Sequence, residues 1–263
     1  MIGECFREII GSGGNATDPL NPMISFIVPA YNEESLIAHT LAALNEVGRN
    51  LAEPYEIIVA DDDSSDRTAA VAEELGARVV RARHRQIAAT RNEGARAAAG
   101  DKFFFVDADT LVNRDVIHAA LQAMRDGAVG GGSTIHFDGR LPTWARLVHP
   151  AFTFACRVLG MAGGCFLFCT REAFDAVGGF DEECYWAEEV VMSRALGRMG
   201  RFVVLREFVL TSGRKLRMYS GAEMLTILFR LTLRGNNAVH YRKGMELWYG
   251  ERRPDPGLAE TGD

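Results

Sequence analysis

The sequence predicts an α/β fold, a mostly parallel central sheet flanked by helices, and three observations carry that prediction. Strand-like apolar runs alternate with amphipathic stretches through the first half of the chain, the pattern of a sheet built with crossover helices. The run Phe103-Phe104-Phe105-Val106 is apolar on both alternations, as a strand buried on both faces must be. Three such strands end in polar loops at Pro29 to Glu33, Asp61 to Asp63 and Asp107 to Asp109. In open α/β sheets ligands gather beyond the carboxyl ends of the strands, so these loops are expected to open on one crevice.

The elements follow in order. Residues 1–22, rich in Gly, Asn and Pro, read as a flexible leader, and Met23 is a candidate natural start. Ile24 to Val28 is the first strand, stopped by Pro29. A helix from Ser35 to Val47 sets Leu36, Ile37, Thr40, Leu41 and Leu44 on one face. Tyr55 to Ala60 is the second strand. A helix, a short strand from Ala77 to Val80, a helix from Gln86 to Ala99 and the strand into Asp107 complete the series. Asn113 to Met124 reads as a helix, and Val129 to Phe137 as a strand with a glycine-rich entry that lies too late, and lacks the following helix, to be a dinucleotide loop.

Trp144 to Met161 is apolar but interrupted by Arg146, His149, Pro150 and Arg157, which excludes an ordinary spanning helix. Phe166 to Cys169 resumes the sheet, and a helix from Arg171 ends at Gly178-Gly179. Met218 to Leu233 reads as a core helix or as a basic amphipathic helix on a membrane surface, with core packing favoured. Residues 23–250 are expected to form one domain with two halves, 23–125 and 126–250. Residues 251–263 read as a tail.

With 263 residues, 48% of them hydrophobic, the chain can bury a substantial core. A net charge of −6 argues against a nucleic-acid partner. Five cysteines, Cys5, Cys156, Cys165, Cys169 and Cys184, lack metal-ligand spacing and read as reduced buried thiols. Cys165 and Cys169 are expected to share a strand face. No secretory signal is evident in the first residues, and a cytoplasmic protein is expected, in peripheral contact with the inner face of the membrane.

Asp107-Ala108-Asp109 holds two carboxylates one small residue apart. They repel each other unless a hard cation such as Mg2+ or Mn2+ neutralises them and recruits phosphate oxygens. The alternative is a strand followed by an acidic helix cap.

The segments Val28-Pro29-Ala30-Tyr31-Asn32-Glu33-Glu34, Val59 to Thr68 with its acids Asp61, Asp62 and Asp63, Arg91-Asn92-Glu93-Gly94-Ala95, Gly100-Asp101, Asp107-Ala108-Asp109, Gly178 to Glu182 and Ala187-Glu188-Glu189 stand in the order and spacing of family 2 glycosyltransferases. The chain resembles that family over roughly Ile24 to Arg206. The resemblance implies a GT-A fold and an inverting, metal-dependent, non-processive transfer of a sugar from a nucleotide-diphosphate donor, most simply a UDP-sugar, to a hydroxyl acceptor. That acceptor is expected to be lipid-linked or a cell-envelope glycan.

The resemblance also implies residue roles. Pro29, Ala30, Tyr31 and Glu33 would line the base and ribose pocket, and Asp62 would accept a hydrogen bond from the base. Arg91 would face the donor phosphates. Asp107 and Ala108 would contact the donor, and Asp109, with Asp107, would hold the Mn2+ or Mg2+. Glu189 occupies the position of the catalytic base, usually an Asp, beside Glu188. Asp63 stands where glycine is usual, and Asp tolerates left-handed backbone angles. Arg214 and Lys215 are candidates to close over the diphosphate, and His240 to complete the metal shell. A non-catalytic nucleotide-sugar-binding scaffold is the main alternative. A sugar nucleotidyltransferase would need a basic glycine-rich loop where Pro29-Ala30-Tyr31 stands.

Overall fold

The structure, a computed structural model, describes residues 23–223 and Thr226. The leader, the tail, His240 and most of the stretch from Met218 to Leu233 lie outside the described residues.

β1 (Ile24–Ala30), β2 (Tyr55–Asp62) and β4 (Lys102–Val106) are apolar on nearly every residue, and they lie side by side in the sheet because both faces are covered. Helices α1 (Ile37–Gly48), α2 (Thr68–Glu74) and α4 (Arg114–Arg125) cover one face, where Phe26, Val28, Phe104 and Val106 meet Leu41, Leu44 and Ile117. Helices α3 (Ile87–Ala97), α6 (Arg171–Val177) and α7 (Glu188–Met199) cover the other, where Ile27, Phe103 and Phe105 meet Phe174 and Leu196. The side chains of Asn113 and Thr170 cap α4 and α6 by accepting from Val116 N and Ala173 N, satisfying amides that the first turn leaves unpaired.

Among the described residues eight strands form one sheet in the order β3-β2-β1-β4-β7-β6-β8-β5. β3 (Arg78–Ala82), β2, β1 and β4 are all parallel, as expected. Beyond β4 the sheet is mixed. β7 (Phe166–Thr170) runs antiparallel to both β4 and β6 (Ala128–Phe137), and β8 (Arg201–Thr211) is parallel to β6. β5 is the two-residue Thr110–Leu111, paired with β8 at the sheet edge, so the segment after Asp109 is a strand and not the start of a helix cap.

The glycine-rich entry of β6 is there for close approach. A Cβ on Gly131 would lie 2.3 Å from Val203 O and 2.5 Å from the Phe168 ring. Backbone on one side and a core aromatic on the other leave no room to relax. Gly131→Ala is therefore expected to cost about 1–3 kcal/mol of overpacking, read as a lowered denaturant midpoint; an unchanged midpoint would refute this.

One expectation is corrected. Cys169 faces the α3 side of the sheet and Cys165 the α4 side, because Cys165 precedes β7 and escapes the strand's alternation. The four described cysteines are buried free thiols.

Candidate active site

The carboxyl ends of β1, β2 and β4 open on one edge, and hydrogen bonds tie their loops together. Asn32, at φ 51°, donates its N–H to Ser64 Oγ at 2.9 Å and accepts from Ser65 N at 2.8 Å. Glu33 N donates to Thr68 Oγ1 at 2.7 Å. Asp63 adopts φ 62°, the left-handed turn its side chain tolerates.

Asp62 lies at the end of β2, and its carboxylate pins the β3–α3 turn. Oδ1 accepts from His84 N at 2.7 Å and Arg85 N at 2.9 Å, and Oδ2 accepts from Gln86 N at 3.1 Å. Those bonds hold Arg85 at φ 50° with its guanidinium 3.7 Å over the Tyr31 ring. Pro29 and Ala30, which precede Tyr31 at the end of β1, are buried. The basic run Arg83-His84-Arg85 was the one sequence signal for this cover.

Arg91 is the hub. It is buried on α3 and joins three segments far apart in the chain: Nη1 donates to Glu188 Oε1 at 2.6 Å, and Nη2 to Asp107 Oδ1 at 2.9 Å and to Gly164 O at 2.7 Å. Burial disfavours its charge, but Asp107, Glu188 and Glu189 more than offset that, so it is held even more firmly protonated than usual. A surface pairing of Arg91 with Glu93 does not occur; Glu93 pairs with Arg96 instead.

Asp109 lies between β4 and β5, with Ala108 buried before it. Its Oδ2 accepts from Arg214 Nη2 at 3.1 Å, and the same nitrogen donates to Glu33 Oε1 at 2.5 Å. Arg214 opens α8 (Arg214–Met218), so that segment already lies over the acids. Burial pushes Asp109 up to about 6, with Asp107 and Glu33 adding to the rise and Lys215 and Arg214 opposing it. A carboxylate whose charge is disfavoured by burial and by neighbouring acids is the kind of group a divalent cation relieves. No group of three or more candidate protein ligands occurs among the described residues. Asp107 and Asp109 are hard carboxylate oxygens, the donor type that suits Mg2+ or Mn2+, and in this structure each accepts from an arginine, Asp107 from Arg91 and Asp109 from Arg214.

Glu188 and Glu189 open α7, whose N-cap Ala187 sits at φ 55°. The Glu189 carboxylate lies against Gly164, 3.1 Å from where a Cβ would stand. Burial pushes Glu189 up to about 8, Glu188 adds to the rise, and Arg91 opposes it.

The sequence profile of Glycosyl transferase family 2 matches residues 25–177, more than half of the chain. The chain belongs to glycosyltransferase family 2. A dolichol-phosphate mannosyltransferase of Pyrococcus furiosus is 28% identical to this chain over 225 residues, covering 82% of this chain and 59% of that protein. An N-acetylglucosaminyltransferase of Rhizobium leguminosarum bv. trifolii is 37% identical over 117 residues, covering 41% of this chain and 64% of that protein. The chain thus spans less than two thirds of the length of either relative. Among solved structures it is similar to a mannosyltransferase from Pyrobaculum calidifontis in complex with GDP-Man and Mn2+, with TM-score 0.64 at 20% identity over 92% of this chain and 69% of that one. It is also similar to glucosyl-3-phosphoglycerate synthase from Mycobacterium tuberculosis in complex with Mn2+, UDP and glucosyl-3-phosphoglycerate, with TM-score 0.54 at 17% identity over 89% and 82%. At these identities the likeness is one of fold, the GT-A glycosyltransferase fold.

Proposed function

We propose that this chain is an inverting glycosyltransferase that moves a sugar from a nucleoside-diphosphate donor, a UDP-sugar in the simplest case, to a hydroxyl acceptor. One observation supports this reading above the others. Arg91 joins Asp107, on the donor side, to Glu188 beside Glu189, so the acids for the leaving group and the base for the acceptor stand on either side of one arginine.

In this reading residues 23–125 serve the donor and the part from 126 onward the acceptor. Pro29, Ala30, Tyr31 and Glu33 bind base and ribose. Asp62, spent on three backbone amides, shapes that pocket at least as much as it reads the base. Asp109 and Asp107 would hold Mn2+ or Mg2+, which when bound stabilises the charge that builds on the diphosphate. Arg214 and Lys215 bind phosphate oxygens, Arg214 exchanging its carboxylate partners for them. Glu189 takes the proton of the acceptor hydroxyl as that oxygen bonds to the anomeric carbon from the face opposite the diphosphate. The bond from that carbon to the diphosphate breaks, the nucleoside diphosphate leaves, and the configuration inverts.

A second reading has its own observation. A Glu189 held protonated at neutral pH is a poor base, which favours a nucleotide-sugar-binding protein without turnover. Release of UDP or GDP from UDP-glucose, UDP-GlcNAc and GDP-mannose separates the two. Acceptor-stimulated release from one donor, with an inverted product, supports transfer. Tight donor binding with no release under any acceptor supports the binding-only reading.

A further inference from the structure

Nine large hydrophobic side chains stand exposed among the described residues, and six of them lie on one helix or its first following residue. That helix is α5 (Thr143–Val158), which links β6 to β7, and the six are Leu147, Val148, Phe152, Phe154, Val158 and Leu159. Leu147 is 76% exposed and Phe154 70%. Ala145 and Cys156 are buried on one side, with His149 bonded to Ile135 O at 2.9 Å; Leu147, Phe154 and Val158, spaced seven and four residues apart, share the opposite, outward side, and Val148, Phe152 and Leu159 flank the buried stripe. Isolated exposed apolar residues are ordinary; a run of them on one helix face marks an interaction surface.

Charge says what covers it. No Asp or Glu occurs between Asp138 and Glu172, a stretch that carries Arg140, Arg146, His149, Arg157 and Arg171. Arg146 and Arg157 are exposed and eleven residues apart, three helical turns, so they stand on the same flank of α5. A second copy docked by this face would set arginines against arginines. The chain's own apolar run after Glu223 is equally basic: it carries Arg230, Arg234, Arg242 and Lys243 and no acid before Glu246. Neither supplies the missing negative charge. A phospholipid surface with anionic headgroups supplies it along with an apolar interior, which is the match for a helix lying in the interface plane.

We propose that α5 is a membrane-docking helix that seats the protein on anionic bilayers through Leu147, Phe154 and Val158, with Arg146 and Arg157 at headgroup level. The placement is continuous with the active site. Thr153, Cys156 and Gly163 line one small cleft beneath α5, and the next residue, Gly164, holds the Glu189 carboxylate against it. An acceptor carried on the bilayer would reach the base from this side. The surface goes beyond the transferase reading and stands or falls without it, because its test needs neither donor nor turnover.

The test is flotation of the full chain with vesicles of phosphatidylcholine alone or with a third phosphatidylglycerol. Binding to the anionic vesicles, weakened by salt, is expected. The triple variant Leu147→Ser, Phe154→Ser, Val158→Ser, which alters only exposed positions, should lower the partition coefficient at least about tenfold at unchanged circular dichroism and melting temperature. Arg146→Gln with Arg157→Gln should lower binding about tenfold or more on anionic vesicles and leave the weak binding to phosphatidylcholine alone unchanged. Binding that survives the triple variant would overturn the proposal, placing the contact elsewhere on the chain. So would the absence of vesicle binding, whether the protein sediments as a monomer, its face covered by its own chain, or as a dimer that the triple variant dissociates.

Discussion

Glu189→Gln is expected to lower the rate of sugar transfer by roughly 10^2- to 10^4-fold, the usual contribution of a positioned general base, while leaving nucleotide binding within about twofold. The substitution keeps the side chain's size against Gly164 and removes only its ability to accept a proton. The pH profile gives an independent check. Glu189 is held up to about 8 by burial and by Glu188, so in the donor-free protein it is mostly protonated at pH 7. Transfer should therefore climb as pH rises through about 8, and the glutamine variant should lose that limb. The same shift sets a stability slope. Because the folded value lies above the ordinary 4.5, proton binding stabilises the fold fully below about 4.5 and the contribution is lost as pH rises towards 8. Melting of the donor-free protein across pH 5–8 should fall more steeply for the wild type than for Glu189→Gln. A variant with wild-type transfer rates and pH profile would remove Glu189 from the chemistry.

Arg91→Met is expected to be among the most destabilising single changes in the described fold. The side chain is 3% exposed and pairs with Glu188 at 7% and Asp107 at 23%. Removing the cation leaves a buried carboxylate with no counter-charge, which typically costs about 3–5 kcal/mol. For a chain of this size that lowers the melting temperature by roughly 10 °C. Arg91→Lys should recover only part of it, because one ammonium cannot span Glu188, Asp107 and the Gly164 carbonyl together. A loss below about 1 kcal/mol for the methionine variant would show that the arginine does not hold these segments together.

The core of the parallel half was legible because β1, β2 and β4 carry apolar residues on both alternations and end in turn residues or acids, whereas β3 is short and carries Arg78 and Arg81. β8 was not, because Arg201, Arg206 and Glu207 interrupt an alternation only half buried, and β5 is too short to carry a pattern. The antiparallel insertion of β7 between β4 and β6 follows from tertiary pairing that no local signal encodes. The acids of the site were legible one by one, since each ends a strand or opens a helix. Their pairings were not: Arg91 with Glu188 spans 97 positions and Arg214 with Glu33 spans 181. The family resemblance implied that the Arg91 guanidinium would face the donor, but its three-way sharing depends on how α3, α7 and the Gly164 loop meet.

In the proposed function Asp109 and Asp107 form a donor site completed by a divalent cation. Calorimetric titration of the full chain with UDP and GDP, with and without Mn2+, beside Asp109→Ala, is the decisive experiment. One nucleotide should bind tightly with Mn2+, at least about tenfold more weakly without it, and with no dependence on Mn2+ in the alanine variant. Nucleotide binding equally tight without metal, or undiminished in Asp109→Ala, would contradict this reading.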